Sequence, residues 1–266
     1  MSGEYGHRKG TDFEQSTKVM LTYLGYKIQA ESTSVKCLDP NHRLSEHSID
    51  VLAEHVGPVP RPHESHDGLT FFDMTSSEKI SRESFLRTSK TLQCLRKDSR
   101  YARTKGAVFV TRAKLTPPIS EEMRSIPGIK CWDGDRLSLY GRLAELFPHH
   151  RQCRYHSENG VTIVLYDPSR GDPLPPKHVF AELFYEGEAR LNQDTLKSAL
   201  LRINKMTRFP TTTIHVNVRS LQGFTKDVMI TVEEAVRECS SWSRKIDITR
   251  EELFDYTCPW FPRIRD

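Results

Sequence analysis

Along the first 25 residues the apolar positions recur with helical spacing. Phe13, Met20, Leu21 and Leu24 share one stripe, and Gly25 follows as the residue a helix C-terminus favours. The pattern predicts a helix from Thr11 to Leu24. The period then shortens to two: Tyr26–Ala30 alternates as a strand does, and after a polar loop Ser48–Glu54 alternates again. Residues 57–68 are interrupted by Gly57, Pro58, Pro60, Pro62 and Gly68, so they read as a long turn, which makes Leu69–Thr75 the return strand of a hairpin. A long polar helix is expected from Ser81 to about Arg103, with Phe85, Leu86, Leu92 and Leu95 inward. Gly106–Thr111 is a continuous apolar run of the kind found in a buried central strand. A helix opened by Pro117 and Pro118, a strand at Ile129–Trp132 and a helix from Arg136 to Phe147 complete the order α-β-β-β-α-β-α-β-α.

A stretch of mixed His, Arg and Cys, 148–160, reads as a linker between a first domain at 1–147 and a second, smaller α/β domain at 161–266. In the second, Val161–Tyr166 and Val179–Tyr185 look like strands. Asn192–Arg208 is a helix with Leu196, Leu200, Ile203 and Met206 on one face, and Thr211–Val218 is a β-branched strand. Thr231–Trp242 reads as helical, and Thr249 with Glu252 forms a capping box that predicts a short helix over Thr249–Tyr256. No repeat at a fixed period is visible.

Composition narrows the classes. With 36% hydrophobic and 28% charged residues each half can bury a core, and neither reads as disordered. No apolar run approaches the roughly 18 residues of a membrane span, and MSGEYGHRKG is not a secretory leader, so a cytoplasmic protein is expected. The net charge of +4, from 39 basic and 35 acidic residues, permits nucleic-acid binding only through a local patch. Lys79, Arg82, Arg87 and Lys90 begin such a run, which continues through Arg96, Lys97, Arg100, Arg103 and Lys105; a solvated helix face is the plainer reading. The six cysteines include no C-x-x-C pair, against a disulfide framework or a common zinc module. His149, Cys153 and His156 would share a face with zinc-like spacing if the linker were helical, and Cys37, His42, His47 and His55 form a second loose group.

Four stretches together resemble the PD-(D/E)xK restriction-endonuclease superfamily, in its Mrr-like and Holliday-junction-resolvase-like branch. They are Gly10-Thr-Asp-Phe-Glu14 opening the first helix, Ser48-Ile-Asp50-Val on a strand, Phe71-Phe72-Asp73-Met74-Thr75 on the next strand, and Gly106–Thr111 with Trp132-Asp133-Gly134-Asp135-Arg136-Leu137. The resemblance spans about residues 10–147. It implies a restriction-endonuclease-like α/β core with a mixed central sheet flanked by helices, and Mg²⁺, or Mn²⁺ as substitute, on Asp50 and Asp73 with support from Glu14. It further implies a DNA endonuclease of a defence or DNA-processing system, a homo-oligomer, and partnership with an ATP-driven translocase or helicase.

The chemistry stands apart from the name. Phosphodiester hydrolysis needs hard oxygen ligands converging on a divalent cation that stabilises charge and activates water. Side chains at neighbouring positions of adjacent strands stand about 5 Å apart, so Asp50 and Asp73 can meet. Residue 75 shares the face of Asp73 because strand side chains alternate. There the family carries lysine and this chain carries Thr75, which can hydrogen-bond a water but brings no charge. Lys79 or Lys90 could supply it, with Arg82, Arg87 and Lys90 on phosphates. The competing expectation is a catalytically degenerate subunit that keeps the fold as a DNA-binding or scaffold module.

Overall fold

A computed structural model describes residues 2–36, 46–77, 79–146, 153–166, 178–207, 213–225 and 245–250. The chain is α/β and divides into two units, Met1–Ala144 and Glu145–Thr257. Among the described residues no helix is long and apolar enough to cross a membrane.

The first unit runs α1 (Ser2–Tyr23), β1 (Tyr26–Lys36), β2 (Glu46–His55), β3 (Leu69–Thr75), α2 (Arg82–Lys97), β4 (Gly106–Thr111), α3 (Pro117–Arg124), β5 (Ile129–Trp132) and α4 (Gly134–Glu145). This is the element order the periodicity predicts. Two lengths differ. Helix α1 begins at Ser2, because residues 2–10 carry no apolar stripe for a periodicity reading to detect. Strand β1 continues past Ala30 through the polar Glu31–Ser34, which pair with β2 and end on the buried Val35. The five strands lie in the order β1-β2-β3-β4-β5, antiparallel across β1, β2 and β3 and parallel across β3, β4 and β5.

Neighbouring residues of β3 serve opposite faces. Phe71 joins Leu52, Phe85, Leu92 and Phe109 in one apolar layer. Phe72 enters a chain of rings from Tyr26 through Trp132 to Tyr140, at centroid spacings of 5.3, 5.3 and 4.7 Å. On α2 the buried residues are Phe85, Thr88, Thr91, Leu92, Cys94 and Leu95, while Leu86, expected inward, is exposed. Leu86 follows Phe85 by 100° of helical turn and so leaves the face that Phe85 sets.

Two glycines weld α1 to the end of β2. Gly25 has φ +84°, its carbonyl accepts from the N–H groups of Val56 and Gly57 at 2.9 Å, and a Cβ on Gly57 would lie 2.6 Å from the Gly25 Cα. The turn that follows is held from below. Trp132 Nε1 donates to the Glu64 carbonyl at 2.6 Å, and Lys130 Nζ and Arg61 both donate to the Ser65 carbonyl at 2.8 Å.

The second unit contains β6 (Arg154–Glu158), β7 (Val161–Tyr166), β8 (His178–Tyr185), α5 (Gln193–Met206), β9 (Thr213–Ser220) and β10 (Lys245–Arg250). Its sheet, β10-β9-β8-β7-β6, is antiparallel across β6, β7 and β8 and parallel across β8, β9 and β10. That is the strand order and orientation of the first unit repeated, with α5 between β8 and β9 where α2 stands between β3 and β4. One expectation changes, and two fall wholly or mostly outside the described residues. Part of the supposed linker is strand β6, so Cys153 and His156 lack helical spacing, and His149 lies outside the described residues. Thr249 and Arg250 belong to β10, parallel to β9, and the rest of the helix expected over Thr249–Tyr256 lies outside the described residues. The helix expected at Thr231–Trp242 lies outside the described residues.

Candidate active site

The ladder between β2 and β3 pairs Glu54 with Leu69 through Val51 with Phe72, and Asp50 and Asp73 are the residues that follow its last pair on the two strands. Leu52 and Phe71, two residues back on either strand, belong to the layer under α2, so both aspartates leave their strands on that face. The backbone N–H of Met74 donates to Asp50 Oδ2 at 2.7 Å, which fixes the Asp50 carboxylate against β3. Asp73 is buried, and the Thr88 hydroxyl of α2 donates to its Oδ2.

Such a placement opposes ionisation. Burial raises the pKa of Asp50 most; the Met74 N–H pulls it down, the charges of Asp73 and Glu14 raise it, Arg87 lowers it, and the result is about 6. Asp73 is also raised, by burial, against the opposing pull of the Thr88 hydroxyl and of Arg87. Three charges therefore bear on Asp50, from Asp73 of β3, Glu14 of α1 and Arg87 of α2, and Arg87 bears on Asp73 as well.

The remaining predicted residues fall less centrally. Thr75 is half-buried at the end of β3, and its hydroxyl accepts from the Ser77 N–H at 3.2 Å. Lys79 is exposed, with its backbone N–H on Ser77 Oγ at 3.2 Å, and Arg82 and Lys90 are exposed on α2. Arg87 is among the charges that move both aspartates. Further along the basic run, Arg96 spends its guanidinium on the carbonyls of Thr104 and Lys105, and Arg100 is paired with Asp98 at 2.8 Å. The sequence reading missed Thr88. Its place three residues beyond Phe85, on the inward stripe, was the available signal.

Among the described residues, neither of the two His/Cys groups gathers. His47 and His55 stand eight residues apart on β2, roughly 27 Å at strand rise. His47 is buried with Nδ1 on the Thr91 hydroxyl at 3.1 Å, and Cys37 and His42 lie outside the described residues. His156 meets Glu158 at 3.3 Å. Among the described residues no three His, Cys, Asp or Glu side chains form a metal cage.

The Trp132–Leu137 turn has a structural use. Asp133 is buried and accepts from the Arg136 N–H at 3.1 Å, opening α4, and Gly134 is required because a Cβ there would stand 2.5 Å from the Arg112 carbonyl oxygen. No protein-family model matches this sequence, and no curated protein matches it.

Proposed function

We propose that the first unit is a metal-dependent phosphodiesterase that cleaves DNA, with Asp50 and Asp73 as the metal ligands. The observation that carries this reading is the pair itself: two half-to-fully buried carboxylates on adjacent strands, each pushed toward its neutral form, with Glu14 adding a third negative charge. Such a site gains most from a cation. Mg²⁺ suits the donor set, since it takes one or two carboxylates, keeps several waters and completes its octahedron with substrate phosphate. When bound, the cation would stabilise negative charge on the phosphate and ease deprotonation of water. The chain's own residues hold and orient: Met74 N–H fixes one Asp50 oxygen, the Thr88 hydroxyl fixes one Asp73 oxygen, and the opposite oxygens are left for the ligand. Hydrolysis adds the water oxygen to phosphorus, breaks one P–O bond to deoxyribose and leaves a proton on the freed hydroxyl. Its products are a phosphate monoester and an alcohol.

Among the described residues, the matching ladder of the second unit carries no facing carboxylates, and Glu182 there pairs with Val164. That unit therefore serves binding or assembly in this reading, in a cytoplasmic homo-oligomer fed by an ATP-driven translocase or helicase. A second reading is favoured by Thr75, which leaves the strand without a lysine: the fold acts as a DNA-binding or scaffold module. Plasmid cleavage with Mg²⁺ or Mn²⁺ separates the two. Nicking that disappears in Asp50→Ala and in Asp73→Ala supports the nuclease, while salt-sensitive binding without cleavage under every metal supports the scaffold.

A further inference from the structure

We propose that Arg87 supplies the positive charge that position 75 lacks, gripping the phosphate that approaches the Asp50–Asp73 pair. The inference rests on the nuclease reading above and names the residue that completes the site.

Four observations point the same way. First, strand β3 offers no cation, and the one polar group at position 75, the Thr75 hydroxyl, is already engaged by the Ser77 N–H. Second, the turn of α2 that carries Arg87 is pinned to the carboxylates. Thr88, the next residue, donates to Asp73, and Thr91 Oγ1 donates to the Arg87 carbonyl at 3.1 Å while reaching His47 on β2. The backbone from which Arg87 projects is thus set by the same contacts that set Asp73. Third, Arg87 is exposed while Asp73 is buried, so its side chain is open to the solvent from which a phosphate must arrive. Fourth, its charge is felt at both Asp50 and Asp73.

The chemistry suits an arginine. A planar guanidinium can take two phosphate oxygens at once, and it keeps its proton beside carboxylates, so it serves as an electrostatic clamp and never as the base. The sequence departs from the lysine pattern at one position and, on this reading, recovers the charge from the facing helix.

The test compares wild type with Arg87→Gln, Arg87→Lys and the double variant Thr75→Lys with Arg87→Gln, using a duplex oligonucleotide with Mn²⁺. Arg87→Gln is expected to slow cleavage about 10²-fold, the size seen when one transition-state charge partner is removed. Arg87→Lys should retain part of the rate, and lysine at position 75 should restore at least about tenfold of the loss by putting a charge back on the strand. Two readouts do not depend on turnover. In metal-free protein the Asp50 carboxyl, followed by NMR, should titrate higher in Arg87→Gln, and the salt slope of duplex binding should drop by about one. Arg87→Gln within about threefold of wild type, with Asp50→Asn inactive, overturns the role of Arg87 and leaves the nuclease reading standing; loss caused instead by Lys79→Gln or Lys90→Gln does the same. Cleavage indifferent to Asp50→Asn, or absent from wild type with every metal, brings down the nuclease reading and this inference together.

Discussion

The Thr88 hydroxyl donates to Asp73 Oδ2 across the gap between α2 and β3, fifteen residues away in the chain, and it lies 3.1 Å from the Ser84 carbonyl as well. One proton thus has two acceptors, a buried carboxylate and a helix carbonyl. The carboxylate has the stronger claim when ionised, since hydrogen bonds to charged groups are about twice as strong as neutral ones. Thr88→Val keeps the shape and removes the donor, and it is expected to cost about 1–3 kcal/mol, the penalty for leaving a buried acceptor unsatisfied. The bond favours the ionised form that burial opposes, so the cost should be larger at high pH than in acid. Urea unfolding of both proteins at pH 7 and pH 4 measures it; an equal cost at both values would show that Thr88 acts by packing alone.

Asp50 should be a residue the fold pays to keep. Its pKa is about 6 against an ordinary 3.8, so the folded state binds the proton more tightly than the unfolded chain. A raised carboxylate pKa gives stability that is present below the unfolded value and is lost as pH rises through the folded one, here between about 4 and 6. Asp50→Asn keeps an oxygen for the Met74 N–H and removes the charge. It is expected to be about 1–3 kcal/mol more stable than wild type at pH 7 and equal to it near pH 4, given 1.36 kcal/mol per pKa unit and partial solvent exposure. Paired denaturation curves across this range check the claim, and an advantage that stays constant with pH would refute it.

Cation binding should reverse the order. A metal that binds only the folded state raises stability by mass action. Millimolar Mn²⁺ is expected to raise the melting temperature of wild type and to leave Asp50→Asn unmoved. A shift of equal size in both proteins would place the ion elsewhere.

Much of this was legible from residue order because the elements are strongly patterned. Gly106–Thr111 is apolar throughout and became a strand buried along its whole length, and the alternation around Asp50 and Asp73 put both on strands that pair. What stayed hidden depends on contacts between distant segments. The inward stripe of α2 marks Thr88 as a buried position, but which sheet residue it or Arg87 meets is set by how α2 packs on the sheet. The polar Glu31–Ser34 segment looked like a loop because half of a strand's stability lies in its partner. The repeat of strand order in the second unit escaped detection for a related reason: topology is carried by pairing, and the paired residues need not be alike.

The approach of Gly57 to Gly25 admits no side chain. A Cβ on Gly57 would meet Gly25 Cα at 2.6 Å, backbone against backbone, so neither side can yield by turning a rotamer. Gly57→Ala is expected to destabilise the first unit by about 1–3 kcal/mol, the usual cost of overpacking. The measure is the urea midpoint, with Gly223→Ala as the control for glycine replacement at an open site: no atom stands within 4 Å of a Cβ there, although its φ of +74° carries its own strain.

In the second unit the decisive pair is Glu182 and Arg219, both almost wholly buried, with Arg219 Nε on Glu182 Oε2 at 2.8 Å and Asn217 donating to Oε1 at 3.2 Å. Attraction inside a protein is strong, but so is the cost of taking two ions out of water, and the balance makes such pairs poor net contributors while making half a pair very costly. Arg219→Met leaves the Glu182 carboxylate buried without its cation and is expected to lose about 3–5 kcal/mol at pH 7. Glu182→Met, stranding the guanidinium, should lose a similar amount. The double replacement should cost much less than the sum of the two, because it removes both desolvation penalties together. A double-mutant cycle by urea unfolding reads the coupling directly. Additive losses would mean that Glu182 and Arg219 are each held by other partners and that the ion pair between β8 and β9 is incidental to the stability of that sheet.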